Sequence, residues 1–238
     1  MSMPDKAAHT DNDNDNDNDT APVTAAAAAD MGPSASVESL LALAINHVNA
    51  GQREQAKRLC ALAQATHPAH PAVQQLLAVL ALQDGDAPGA RRHAEASLTL
   101  RPGHPPTLLL AGQAQHACGA LHAALQSFEQ AAALAPGDAQ AWFQLALVRQ
   151  DLRDLTGAEN ALRRVLQLAP ARADALVNLG IVLQERGQLD AALQAYGRAY
   201  VLRDDTFGRI AHALASANVG RVWLDLDALR ATLRSVAA

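Results

Sequence analysis

The chain has 238 residues, of which 50% are apolar and only 3% aromatic, and its formal net charge is -5. No run approaches the roughly 18–20 uninterrupted apolar residues of a membrane-spanning helix, and the alanine run Ala25–Ala29 is too short for a signal-peptide core. Two cysteines cannot build a disulfide framework. These features predict a soluble, cytoplasmic protein without membrane insertion.

Residues 1–36 are predicted to form a disordered, acidic, low-complexity leader. Asp and Asn alternate from Asp11 to Asp19, and the leader as a whole holds seven Asp against Lys6, so the remaining chain is close to neutral. A nearly neutral remainder argues against a nucleic-acid-binding surface. The Asp/Asn tract lacks the turn glycine and the bidentate glutamate of a calcium loop, so we interpret it as a solvated tail.

A 34-residue period begins after the leader, and several residue classes share its register. Alanine, proline and glycine each recur at this step, with Arg153 in the one place where glycine is missing. The recurring residues are Ala56, Ala90, Ala124, Ala158 and Ala192, then Pro68, Pro102, Pro136 and Pro170, then Gly51, Gly85, Gly119 and Gly187. Glycine ends a helix readily and proline cannot continue one, so each unit is predicted to contain two helices.

The motifs within the period resemble the tetratricopeptide repeat, a helix–turn–helix unit of 34 residues. They include Leu108-x2-Ala111-Gly112 with Ala124-x3-Phe128, Leu176-x2-Leu179-Gly180 with Ala192-x3-Tyr196, and Trp142-x2-Leu145-Ala146. The resemblance implies an all-α fold, a right-handed α-solenoid of antiparallel helix pairs. We place five repeats at 37–70, 71–104, 105–138, 139–172 and 173–206.

Residues 207–238 depart from the repeat and are predicted to form C-terminal capping helices. Phe207 and Trp223 are the large side chains available to cover the end of the array, and Asp225 or Asp227 is predicted to cap the last helix. A docking element for a partner is the alternative.

No catalytic or cofactor motif was found, so we expect no enzyme activity, cofactor or metal. The predicted folded part has one lysine, Lys57, and no glycine-rich phosphate loop. His116, Cys118 and His122 lie around one turn, but a fourth zinc ligand is not evident. A catalytic group formed by residues distant in sequence stays open.

The resemblance further implies that the first helices of all units line one concave groove. We predict an apolar floor with amide rims that binds a protein or peptide partner. The predicted groove residues are Leu41, Ile45, Val79, Leu109, Gln113, Phe143, Gln144, Leu147, Val177, Asn178 and Ile181. Part of this apolar surface could instead be solenoid core, or be covered by the chain's own tail or a second copy.

Two functional hypotheses follow from this interpretation. The first is a non-catalytic scaffold or adaptor that binds a peptide or amphipathic helix of a partner. The second is an accessory or regulatory subunit of a glycosyl- or sulfotransferase-type enzyme system. The groove positions that hold a terminal carboxylate in chaperone-tail adaptors are not basic here, and the asparagine ladder of sugar transferases is matched only by Asn178, so neither specialised use is favoured.

Overall fold

The computed structural model describes residues 36–216 and 225–237, where all regular structure is helical. The predicted leader, apart from Ser36, and Trp223 lie outside the described residues. The helices are α1 Val37–Asn49, α2 Arg53–Thr66, α3 Pro71–Gln83, α4 Ala87–Leu100, α5 Pro105–Ala117, α6 Leu121–Leu134, α7 Ala139–Asp151, α8 Leu155–Leu168, α9 Ala173–Glu185, α10 Leu189–Leu202, α11 Phe207–Ser216 and α12 Leu226–Val236, with a 3₁₀ turn, η1, at Asp204–Thr206.

The first ten helices form five pairs that stack along the chain. We call α1, α3, α5, α7 and α9 the first helices and α2, α4, α6, α8 and α10 the second helices. Each first helix contacts its own second helix, which in turn contacts the first helix of the next pair. The first helices α1, α3, α5 and α7 also lie side by side. This arrangement confirms the predicted α-solenoid of helix pairs.

The turn inside each pair requires a left-handed backbone. Four turns use the predicted glycines Gly51, Gly85, Gly119 and Gly187, whose φ angles lie between +73° and +78°. The fourth pair has Arg153 at this place with φ +63°, so an arginine adopts the conformation that glycine supplies elsewhere. A Cβ atom in this region approaches the following carbonyl oxygen, which costs roughly 1–2 kcal/mol.

Replacing Arg153 with glycine is therefore expected to raise the free energy of unfolding by about 0.5–1 kcal/mol, once the greater entropy of glycine in the unfolded chain is subtracted. The ion pair of Arg153 Nη1 with Glu185 Oε2, 2.7 Å long, is lost, but the arginine side chain is 71% exposed and the pair contributes little. Urea denaturation measures the change. Gly187→Arg, the reverse substitution in the next pair, is the control and is expected to destabilise; a loss of stability in Arg153→Gly contradicts the prediction.

Helix pairing depends on small residues where the two backbones approach. The predicted alanines of the second helices are 0–1% exposed, Ala124 and Ala158 among them. The eighth residue of each first helix is also small and buried, and in α5 and α9 it is a glycine. A Cβ atom on Gly112 would lie 2.5 Å from Phe128 Cε1, and one on Gly180 would lie 2.3 Å from Tyr196 Cε1. Glycine therefore occurs where the facing side chain is aromatic.

The C-terminal helices pack against the last pair in two different ways. Helix α11 lies beside α9 and buries Ile210 and Leu214, whereas α12 lies against α10. A Cβ atom on Gly197 of α10 would lie 2.5 Å from the carbonyl oxygen of Leu233, so α12 approaches α10 very closely. Asp225, one of the two predicted caps, is the residue that accepts the backbone N–H groups of Asp227 and Ala228.

The large residue Phe207 joins these elements. Its ring lies 5.7 Å from the Tyr200 ring, and the Arg230 guanidinium lies 4.3 Å above it. Phe207 thus links the end of the array to α12.

The two cysteines lie in different environments. Cys60 is buried in α2, and its burial raises the pKa of the thiol to about 11, which keeps it protonated near neutral pH. Cys118 is exposed. None of the helices in the described ranges combines the length and apolar character needed to cross a bilayer.

Candidate functional site

Seven side chains on the first helices form the surface on which the groove was predicted. They occupy the fifth, sixth or ninth position of their helices, and residues three or four apart lie on the same side of a helix. We call this set the first-helix face: Ile45, Gln75, Val79, Leu109, Gln113, Gln144 and Leu147. Ile45 is 46% exposed and the other six are half-buried. The face runs across α1, α3, α5 and α7.

Charged residues are rare on the first helices. There is one in α1, none in α3 or α5, and two each in α7 and α9, all within two residues of a helix start or three of its end. The second helices carry more charged residues: four in α2, three each in α4 and α8, two in α10 and one in α6. The first-helix face is therefore uncharged, and the charges of the array lie mainly on the other helix row.

Three amide side chains of the first-helix face make no hydrogen bond to any described residue. They are Gln75, Gln113 and Gln144, one on each of α3, α5 and α7. Two other glutamines of the first helices are bonded within the fold: Gln74 Oε1 pairs with His93 Nδ1 at 2.9 Å, and Gln115 Oε1 accepts the Ser127 hydroxyl at 2.8 Å. The three unbonded amides are half-buried beside apolar neighbours, where polar groups need a partner once water leaves.

Four of the predicted groove residues are buried rather than available to a partner. Leu41 and Phe143 are 8% exposed, Asn178 is 8% exposed and Val177 is fully buried. Ile181 on α9 is half-buried. Ile45, Val79, Leu109, Gln113, Gln144 and Leu147 are therefore the predicted groove residues that stay at least partly exposed on α1, α3, α5 and α7, while the predicted residues of α9 are mostly enclosed.

Two arginines that the sequence did not single out contact these buried groove positions. The Arg172 guanidinium lies 4.1 Å above the Phe143 ring, and it also bonds to Asp174 and to the Gln140 side chain. Arg209 of α11 donates to Asn178 Oδ1 at 3.3 Å. Arg172 ends the turn that connects the fourth and fifth pairs, and contacts across such turns leave no local signal in the sequence.

The turn histidines do not assemble a metal site among the described residues. His116 Nε2 lies 2.6 Å from Asp151 Oδ2 of the next pair, and no group of three or more His, Cys, Asp or Glu side chains in those residues could hold an ion. In α9, Gln184 accepts the Tyr196 hydroxyl at 2.9 Å and donates to the Ala213 carbonyl at 3.4 Å. Burial raises the pKa of Tyr196, so its hydroxyl stays a donor.

A family model for the tetratricopeptide repeat matches residues 41–105 and 143–208, together more than half of the chain. The chain belongs to the tetratricopeptide repeat family. Proteins of this family are generally scaffolds for protein–protein interaction. No curated protein sequence matches the chain.

Solved tetratricopeptide repeat proteins share the fold at low sequence identity. MamA from Desulfovibrio magneticus RS-1 has 20% identity and a TM-score of 0.65 over 71% of this chain and 96% of that one. TTC0263, a thermophilic protein of Thermus thermophilus, has 23% identity and a TM-score of 0.60 over 75% and 99%. YrrB, titled a TPR protein with an unusual peptide-binding site, has 17% identity and a TM-score of 0.62 over 71% and 88%. These likenesses show the fold.

Proposed function

We propose that this tetratricopeptide repeat protein is a non-catalytic cytoplasmic adaptor that binds a peptide or helix of a partner protein on the first-helix face. The proposal divides the chain into an N-terminal leader (1–36), five repeats (37–206) and C-terminal capping helices (207–238). In it, the first-helix face is the floor of the concave groove, and the half-buried Ile181 extends this floor.

The observation that carries the proposal is the uneven distribution of side chains between the two helix rows. Ordinary solvated helices carry their charges outward and their apolar side chains inward. Away from the helix ends, the residues left half-exposed on the first helices are apolar or amide, as at Val79, Leu109 and Leu147. Interface centres are likewise depleted of charged residues. YrrB, a protein of the same fold, is described as having an unusual peptide-binding site, and this adds support.

The adaptor hypothesis is preferred to the accessory-subunit hypothesis because it needs only the surface that the described residues form. Nothing in those residues or in the matched proteins favours a role beside a glycosyl- or sulfotransferase.

Placing aspartate at two points of the first-helix face is expected to abolish partner capture. In Ile45→Asp/Leu147→Asp a bound apolar segment would have to cover two carboxylates without counter-charges, which weakens binding at least about tenfold. Phe143 is unsuitable for this test because its ring packs beneath Arg172. The measurement is quantitative affinity capture with the full chain, with circular dichroism to verify helix content.

A matched control changes the same kind of residue outside the face. Leu62 and Leu134 lie on second helices and are 41% and 56% exposed, so Leu62→Asp/Leu134→Asp also replaces two partly exposed apolar residues. Proteins captured by the parent and by this control, but not by the face variant, support the proposal. Equal capture by all three proteins shows that the first-helix face is not the binding surface.

A further inference from the structure

The core of the second helix pair is polar at two places where the other four pairs are apolar. Gln74 of α3 and Ser97 of α4 are 7% and 2% exposed. Gln74 Oε1 lies 2.9 Å from His93 Nδ1 of α4, and Ser97 Oγ donates to the Pro71 carbonyl at 2.9 Å. The residues at the two corresponding places of the other pairs are Leu40 and Ala63, Leu108 and Ala131, Trp142 and Val165, and Leu176 and Ala199. The contact between α3 and α4 therefore includes a hydrogen bond to a histidine.

A second histidine, His104, lies at the junction of this pair with α5. It is the N-cap residue of α5, and its Nδ1 lies 2.8 Å from Oγ1 of the fully buried Thr107. The hydroxyl proton of Thr107 has no other acceptor among the described residues, so it is satisfied only when Nδ1 of a neutral imidazole carries a lone pair. Protonation of His104 removes this acceptor. It also places a positive charge at a helix N-terminus, where the helix dipole opposes it.

The apolar core at this junction consists of small side chains. It is a cluster of three buried alanines: Ala78 of α3, Ala94 of α4 and Ala111 of α5. The main core includes the large side chains of Phe128 and Tyr196, whereas the sequence has no aromatic residue before Phe128. Because alanine buries little apolar area, less free energy opposes separation of the helices here than in the main core.

We propose that the second helix pair and its junction with α5 form a pH-sensitive joint of the array, which opens when His93 and His104 take up protons. In the closed joint His104 has to be neutral to satisfy Thr107, and His93 is half-buried against the neutral amide of Gln74. In the open joint both imidazoles are solvated and take up protons freely. Acid therefore favours the open form.

The pKa values of both histidines agree with this direction. Burial, and then the charge of Arg92, lowers the pKa of His93, although Asp86 opposes the shift. Burial, and then the charge of Arg101, lowers the pKa of His104. Because each pKa is lower in the closed joint than in a solvated one, stability is complete above the ordinary histidine pKa of about 6.5. It is lost as the pH falls through that value toward the lowered pKa values.

The carboxylates on the helices packed against these histidines are already engaged. Helices α3 and α5 contain no Asp, Glu, Lys or Arg. Asp86 and Asp138 accept backbone N–H groups as N-caps of α4 and α7. The other pairs are Glu95 with Arg91, Glu129 with Arg149, and Asp151 with His116; the remaining titratable side chains are His70 before α3 and His122 on α6. No free carboxylate on these helices is therefore at hand to stabilise an imidazolium.

The joint interrupts the first-helix face. Val79 of α3 lies on one side of it and Leu109 of α5 on the other. Opening divides the face into a part on α1 and α3 and a part on α5 and α7, so a partner held across the joint would be released by acid. This consequence rests on the proposed function, whereas the opening itself requires no partner.

Native-state hydrogen exchange of the full chain, read by mass spectrometry at about pH 7.5 and about pH 5, measures the opening directly. Each rate is divided by the intrinsic exchange rate at the same pH. We expect the protection of α3 and α4 to fall at least about threefold more than that of α9 and α10, which contain no histidine. Equal protection at both pH values, or an equal fall in all four helices, overturns the proposal.

A double variant removes the two proton acceptors and keeps their hydrogen bonds. In His93→Gln/His104→Asn, the glutamine amide donates to Gln74, and asparagine is a good N-cap whose oxygen accepts the Thr107 hydroxyl. We expect this variant to lose the pH response of α3 and α4. The matched control is His122→Gln/His212→Asn, at two exposed histidines, which should keep it. A response that persists in the first variant or disappears in the control overturns the proposal.

Titration of the imidazole ring protons of the parent protein by NMR gives a measurement that needs no variant. We expect both His93 and His104 to titrate below the ordinary value of about 6.5. A pKa at or above that value for either histidine overturns the proposal even if the double variant does not fold. Because no partner is present in any of these measurements, a failure of the proposed function leaves their results unchanged.

Discussion

Replacing Phe128 with alanine is expected to lower the free energy of unfolding by about 3–5 kcal/mol. The ring is 1% exposed in the main hydrophobic core, and Gly112 of α5 leaves the space that it occupies. Truncation removes the contacts of the ring and leaves a cavity that the glycine, having no side chain, cannot fill. Urea denaturation followed by circular dichroism measures the loss.

A compensating pair of substitutions tests the stated reason. In the fourth helix pair the same two positions hold Ala146 and Leu162, both 1% exposed. Gly112→Ala alone is expected to cost about 1–3 kcal/mol, because a Cβ atom would lie 2.5 Å from the Phe128 ring. Combined with Phe128→Leu, it reproduces the pair found in the fourth unit. We expect the double variant to be clearly more stable than the sum of the two single effects; simple additivity would contradict direct contact between these positions.

The fold could be predicted from the sequence because each repeating residue class has its own local cause. Gly119 supplies a left-handed turn, Pro136 follows the end of a second helix, and Ala124 is small where two helices touch; all three requirements recur at one 34-residue step. The structure departs from the rule where the sequence also does. Arg153 takes the left-handed conformation without glycine, and Asp204 starts a 3₁₀ turn where proline is expected.

The candidate site could be predicted only in part, because exposure depends on neighbours about one unit away in sequence. Position five of a first helix holds half-buried Leu109 in α5, yet Phe143 in α7 is buried, with Arg172 above its ring. Asn178 similarly bonds to Arg209 from α11. The periodicity singles out one helix row for the predicted groove, whereas the exposure and the partners of individual side chains follow from packing between units.

The substitution Arg186→Met is also expected to destabilise the protein strongly. We expect it to lower the free energy of unfolding by about 3 kcal/mol. The Glu159 side chain of α8 is only 3% exposed, and its carboxylate pairs with Arg186, which follows α9, across the contact between the fourth and fifth units. Without that guanidinium the carboxylate stays buried with one remaining partner, Arg163, 2.5 Å away. Urea denaturation at neutral pH measures the change.

Two further variants distinguish loss of the ion pair from loss of packing. The Arg163 side chain is 58% exposed, so Arg163→Met is expected to cost less than about 1 kcal/mol although it removes an arginine from the same carboxylate. Replacing both partners, in Glu159→Met/Arg186→Met, removes the buried charge together with its counter-charge and should be markedly milder than Arg186→Met alone. If the double variant is as unstable as the single one, the arginine stabilises the contact between the fourth and fifth units through its aliphatic chain. If it recovers, the cost in Arg186→Met is that of a carboxylate enclosed between two repeats with only the exposed Arg163 as its partner.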